Sequence, residues 1–322
     1  MGGRPIYTVG PGVPQVGTLA FGVVDRGTNV LEVRPTSVCA LSCVFCSVNA
    51  GPQSRARWAE YVVEVEALLS ALEEVVRFKK TDDVEVHIDG MGDPGAHPQL
   101  VELVEGAKAI RGVAVVSMQT RLYMLNEGRI RRLAVAGLDR FNVSIDALDP
   151  ALARKRAGAG WYDVERVLQL VKTALEAGIN VVISPVWVPG LNDEEMPKIA
   201  KWAVENGVGK GVYTPVLIQK YIPHKRGRRV NMQPMSWGEF WSRLKRRRSS
   251  ESPSYRGRAN TTSTRRRSSR GPTGWGRTWR SRSWRGASLK GRCWGSPCRG
   301  GARRFGTGQS PWPTAGRRLT AL

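Results

Sequence analysis

The sequence predicts an α/β protein: a partial (β/α)6 open barrel with parallel strands, followed by a disordered basic tail. Three observations predict it. Between residues 30 and 220, six strand-like patterns are separated by helix-like ones. Two of those strands carry polar residues along one whole face. Charge is also unevenly placed. Met1 to Leu244 holds 29 Lys+Arg and 26 Asp+Glu, whereas Lys245 to Leu322 holds 21 basic residues and the single acid Glu251. The net +23 therefore belongs almost wholly to the tail, and the part before it reads as an ordinary, nearly neutral globular sequence.

The elements follow in order after an N-terminal extension, residues 1–29. Leu31-Glu-Val-Arg34 reads as a short strand. Tyr61, Val62, Val65, Leu68, Leu69, Leu72, Val75 and Val76 recur at helical spacing. Residues 84–89 alternate as a strand, a helix over 98–110 follows, and a strand over 113–118 comes next. A helix over 126–136 leads to a strand at 141–146, and one over 163–177 leads to 179–186. The last pair is a helix over 193–205 and a strand at 212–218. The core is expected over 30–235, a further helix begins in 236–244, and the tail runs over 245–322.

Glu85, His87 and Asp89 share one strand face, opposite Val84, Val86 and Ile88. Asn142, Ser144 and Asp146 share another, opposite Phe141, Val143 and Ile145. A closed eight-stranded barrel fills its interior with apolar side chains. A polar inner face beneath covering helices fits an open barrel that holds ligands. The alternative, an antiparallel sheet with one solvated face, is disfavoured by the regular helical insertions.

The tail contains no Val, Ile, Met or Asp from Lys245 onward, and Arg, Ser, Gly, Thr and Trp dominate it. One reading is a basic nucleic-acid arm with stacking tryptophans. The other is out-of-frame translation of a GC-rich gene. The abrupt change after Trp237-Gly-Glu-Phe-Trp-Ser-Arg-Leu244 favours the second. No run is long and apolar enough to span a bilayer, and the N-terminus lacks an apolar signal core. A cytoplasmic protein is expected, with no membrane partner.

Three of the five cysteines, Cys39, Cys43 and Cys46, fall within eight residues just after the first strand. That pattern indicates metal or redox chemistry in a reducing compartment. Three thiolates on one loop can bind three irons of a cubane cluster and leave the fourth open. A structural zinc site needs four ligands, often as two separated pairs. No second pair follows before the tail, where Cys293 and Cys298 lie, and the only histidines are His87, His97 and His224.

The spacing of these cysteines, with an aromatic before the last, resembles the signature of the radical S-adenosylmethionine superfamily. The resemblance covers about residues 30–220. It implies a 4Fe-4S cluster on Cys39, Cys43 and Cys46 and S-adenosylmethionine at the open iron. It also implies reductive cleavage to a 5′-deoxyadenosyl radical, with the electron supplied by an unidentified donor. Gly90-Met-Gly92-Asp93-Pro94 resembles the turn that holds the methionyl amino group, with Asp93 where Glu is usual. Ser144 and Asp146 resemble the residues that reach the ribose, although Asp149-Pro150 also reads as a helix entry. Phe45 resembles the aromatic against the adenine. Ser184 to Asp193 resembles the loop after the fifth strand. Arg121-Leu122 departs from the Asn-Gly common in relatives.

More narrowly, Arg34-Pro-Thr-Ser-Val-Cys39, Cys46-Ser-Val-Asn-Ala-Gly-Pro52, Ser117-Met-Gln-Thr120, Ile218-Gln-Lys-Tyr221 and His224-Lys-Arg-Gly-Arg228 resemble an archaeal group of uncharacterised iron–sulfur radical enzymes. Such proteins often continue into a TRAM-type RNA-binding domain, absent here. The basic run Lys220 to Arg229 past the last strand suggests an RNA substrate drawn by its phosphates. The alternatives are the same chemistry on a metabolite or peptide, and a non-catalytic RNA-binding protein with a structural cluster.

Overall fold

The structure, a computed structural model, describes residues 4–209 and 211–250. Residues 251–322 of the expected disordered tail, with Cys293 and Cys298, lie outside the described residues, whereas its first six residues, 245–250, are helical and continue the helix that begins at Trp237, a correction to that expectation. In chain order the elements are β1 (Ile6–Val9), β2 (Gly22–Asp25), β3 (Val30–Arg34), β4 (Glu60–Val63), α1 (Val65–Lys79), β5 (Val84–Ile88), α2 (Leu100–Ala109), β6 (Val113–Thr120), α3 (Glu127–Val135), β7 (Arg140–Val143), α4 (Pro150–Ala157), α5 (Val164–Glu176), β8 (Asn180–Ile183), β9 (Val186–Trp187), α6 (Glu195–Glu205), β10 (Gln219–Lys220) and α7 (Trp237–Ser250).

Local sequence explains the helices. Leu68, Leu72 and Val76 stand one turn apart on α1 and are buried against the sheet. The Asn126 side chain accepts the Arg129 N–H at 2.8 Å to begin α3. Asp149 accepts the Leu152 N–H at 2.7 Å, Pro150 occupies the first helical position, and Gly158 ends α4 at φ 62°. The helix-entry reading of Asp149-Pro150 is thus realised.

Strands β3, β5, β6, β7 and β8 are neighbours in sequence order and all parallel, as strand–helix–strand units require. Two details differ from the expectation. The N-terminal extension supplies β2, which pairs antiparallel with β3 at the sheet edge, and β1, which pairs with β4. The strand expected over 212–218 is reduced to a strip: Leu217 N–H donates to Ile183 O at 2.8 Å, and two-residue β10 pairs with β9. Pro215 has no N–H to donate, and Gly207, Gly209 and Gly211 turn the chain at positive φ just before it. The result is an open sheet whose far edge is closed by short contacts only. Among the described residues no helix is long and apolar enough to cross a membrane.

Val86, Met118, Phe141 and Val181 face the helices and are fully buried. The opposite face is mainly polar, with Val115 and Val182 among its polar residues. Arg34 Nε donates to Glu32 Oε1 at 2.6 Å, and Arg140 Nη2 donates to Glu85 Oε1 at 2.5 Å. Ser117 Oγ donates to the same Glu85 oxygen at 2.8 Å and lies 2.8 Å from His87 Nδ1. Burial pushes the Asp89 carboxyl up on this face, against the pull of His87 and the Gly90 N–H.

Candidate active site

The C-terminal ends of the parallel strands converge on one region. After β3 come the three cysteines, after β5 the Gly90–Pro94 turn, after β6 Arg121, after β7 Ser144 and Asp146, and after β8 Ser184.

Cys39, Cys43 and Cys46 are free and half-buried. Cys46 Sγ accepts the Ala50 N–H at 3.2 Å. Burial, then the Asp93 carboxylate and Cys43, push the Cys39 thiol up to about 12. Burial likewise raises Cys43, while Arg121 and Arg228 pull it down. Such thiols keep their protons until a bound cation displaces them.

The loop that carries them is gripped from three directions. At the strand side, Gly92 lies so close that a Cβ would collide with Val38 O and the Ser37 carbonyl, and Asp93 N–H donates to Val38 O at 2.9 Å. From α4, the Arg156 and Ala157 carbonyls accept the Val44 and Ser42 N–H groups at 3.1 and 2.9 Å. From beyond β10, Arg228 N–H donates to Cys46 O at 2.8 Å and its Nη1 donates to Cys43 O at 3.1 Å. Arg57 ties the flanks together: its guanidinium donates to Ser37 O at 2.7 Å, Val48 O at 3.1 Å and also Met91 O.

The other expected site residues gather here with unequal freedom. Gly90 sits at φ 152°, which favours glycine. Asp93 is buried, and its carboxylate accepts from Gly95 N at 2.9 Å, Thr120 Oγ1 at 2.8 Å and Arg121 N at 3.0 Å. It therefore shapes the turn and faces Cys39. Ser144 is half-buried on the polar face and accepts from Gln119 Nε2 at 2.7 Å. Asp146 differs from the expectation of a free ribose acceptor: one oxygen takes the Val186 N–H at 2.8 Å, and the other pairs with Arg121. Two guanidinium groups lie over the Phe45 ring, Arg121 at 5.7 Å and Arg156 at 4.5 Å from its centroid. Leu122, where a glycine is common in relatives, holds a left-handed φ of 58° while fully buried.

Sequence reasoning missed Arg57, Arg156 and the inward turn of Arg228. Only Arg156 had a local signal, since Asp149-Pro150 and Gly158 frame a helix of which it is part of the last turn.

The radical SAM superfamily profile matches residues 33–203, more than half of the chain. The chain belongs to the radical SAM superfamily. An uncharacterised protein of Methanocaldococcus jannaschii is 37% identical over 204 residues, which cover 63% of this chain and 47% of that protein. A GTP 3′,8-cyclase of Streptomyces coelicolor is 31% identical over 181 residues, covering 55% of this chain and 50% of the cyclase. The chain thus spans about half the length of the curated relatives it matches. Among solved structures, Streptococcus suis SuiB bound to S-adenosylmethionine aligns with a TM-score of 0.54 at 16% identity, over 70% of this chain and 49% of SuiB. That similarity shows the shared fold.

Membership brings a 4Fe-4S cluster and S-adenosylmethionine as cofactors. The donor set fits the cluster: three free thiols on one loop, one of them already accepting a backbone N–H. Among the described residues, no three His, Cys, Asp or Glu side chains are grouped to hold a single ion. Three thiolates that each take a different corner of a cubane stand further apart than the ligands of one zinc.

Proposed function

We propose that this radical SAM protein holds its cluster on Cys39, Cys43 and Cys46, cleaves S-adenosylmethionine reductively, and acts on RNA. Cys39, Cys43 and Cys46 would hold the cluster, and its chemistry would be to give one electron to the sulfonium of S-adenosylmethionine, breaking the C5′–S bond to leave methionine and a hydrogen-abstracting 5′-deoxyadenosyl radical. The chain's own part is to shelter and orient. Gly90, Gly92 and the buried Asp93 fix the turn beside Cys39, Ser144 offers a hydroxyl on the polar face, and the helix-covered face excludes water from behind.

The observation behind the RNA reading is the basic loop's position. Gly227 packs against Cys46 and Ser47, so the loop lies at the rim of the cluster site. An open hollow of about 340 Å³ there is lined by Tyr221, His224, Lys225 and Arg229 among others. Lys225, Arg226 and Arg229 are exposed and available to phosphates. Arg228 is not, because it turns inward to Cys43. A second reading, a free nucleoside triphosphate, is favoured by the GTP 3′,8-cyclases among the relatives and shares the phosphate chemistry.

The test is 5′-deoxyadenosine formation by the reconstituted full chain under dithionite, with RNA, with GTP, and with neither. Stimulation by RNA that falls steeply with salt, and is lost when Lys225, Arg226 and Arg229 become Ala, is expected. Stimulation by GTP alone selects the second reading. Turnover indifferent to both contradicts a phosphate-bearing substrate.

A further inference from the structure

Two guanidinium groups at the cysteine loop have polar atoms without a hydrogen-bond partner among the described residues. Arg156 is 1% exposed, yet its Nε and Nη1 are buried without a hydrogen-bond partner among the described residues. Its Nη2 alone is used, donating to Val186 O at 2.9 Å. Arg228 Nη2 is likewise buried and unpartnered, while Nη1 holds Cys43 O. A buried cation left without an anion is costly, so chains rarely keep one unless a ligand completes it. The nearby carboxylate cannot serve, because Asp146 is already matched by Arg121.

Both arginines are placed against the same short segment. Arg156 receives the Val44 N–H on its carbonyl and lies over the Phe45 ring, and Arg228 bonds the carbonyls of Cys43 and Cys46. The charged side chains about this segment are Arg121, Arg156 and Arg228 against Asp146, which pairs with Arg121, and Asp93, which faces Cys39, an excess of one positive charge. A cubane core held by three thiolates carries one net negative charge when oxidised, and an added electron makes it two. Arg156 and Arg228, with guanidinium nitrogens unpartnered among the described residues, stand beside the loop where that added negative charge would sit.

We propose that Arg156 and Arg228 are built-in counter-cations that hold the cluster's reduction potential up, so that a one-electron reductant can load it. This rests on the assignment of the cluster to Cys39, Cys43 and Cys46. The two arginines come from segments 72 residues apart in sequence and act as positioning and tuning residues, through charge near the thiolates.

The test is a redox titration followed by electron paramagnetic resonance on the reconstituted full chain, with iron content measured alongside. Wild type is compared with Arg156→Met, Arg228→Met and the two Lys variants. Each Met variant is expected to make reduction at least tenfold less favourable, about 59 mV more negative for a one-electron couple. Each Lys variant should recover most of that shift, because it keeps the charge and loses only the fork. If one Met variant takes up no cluster, the other decides by the same criterion. Met variants at the wild-type potential, or Lys variants shifted as far as Met, overturn the proposal. A wild-type chain that takes up no cluster refutes the cluster assignment itself, a failure separate from one seen only in the variants.

Discussion

On the helix side of the sheet, adjacent strands present Val86, Met118, Phe141 and Val181, each 0–1% exposed. On the other side, the same strands present His87, Ser117, Arg140 and Asn142, linked by hydrogen bonds to Glu85 and to one another. Apolar burial on the first face supplies the stability of the fold. The second face adds little stability of that kind, since polar groups in a half-buried place only replace water with one another. On the proposed function, that face beside the three free thiols is the one that meets ligands. Substitutions on the two faces should therefore fail in different ways.

The largest effect is expected at the cysteines. Replacing any of Cys39, Cys43 or Cys46 by Ala should abolish cluster absorption and S-adenosylmethionine cleavage together, whereas Cys293→Ala and Cys298→Ala should change neither. Cluster uptake that depends on Cys293 or Cys298 would break the three-ligand assignment.

Next come the two faces compared directly. Phe141→Ala should cost about 3–5 kcal/mol in urea unfolding, from lost burial and the cavity left behind. Arg121→Leu should cost a similar amount, about 3–5 kcal/mol, because it leaves the buried Asp146 carboxylate without its cation. Ser144→Ala should cost only about 1 kcal/mol of stability but weaken S-adenosylmethionine binding by about 1–3 kcal/mol. Equal affinity of Ser144→Ala and wild type in calorimetry would remove Ser144 from the pocket.

A smaller effect should appear with pH. His97 is fully buried, donates from Nε2 to Val63 O at 2.8 Å, and accepts the Gln99 N–H at Nδ1. Burial holds its protonation below the usual histidine range. The unfolded chain then binds the extra proton more readily, so stability is full above about pH 6.5 and falls as pH drops below it. Melting curves from pH 8 to pH 5 should show that fall, and His97→Gln should flatten it. An unchanged slope in the variant would place the titration elsewhere.

Strand periodicity makes the sheet legible, and the alternation at Glu85, His87 and Asp89 marks its polar face in the sequence alone. The strand at 212–218 was overread, because its apolar residues hid the effect of Pro215. The cysteines were legible because metal ligation fixes residue type and spacing within one loop. Arg57, Arg156 and Arg228 were not, because each acts at long sequence separation through contacts that only the fold creates. Asp146 was legible as a site-lining residue but not as the partner of Arg121, since a strand pattern shows which face a side chain takes and not which neighbour claims it.

The account rests most directly on one paired measurement. The full chain, reconstituted anaerobically with iron and sulfide, is reduced with dithionite in the presence of S-adenosylmethionine, and 5′-deoxyadenosine is quantified beside the Cys43→Ala variant. The account predicts an oxygen-sensitive brown protein that releases 5′-deoxyadenosine, and a colourless variant that releases none. A wild-type chain that binds iron and yet releases no 5′-deoxyadenosine, or a Cys43→Ala variant that still does, would contradict it.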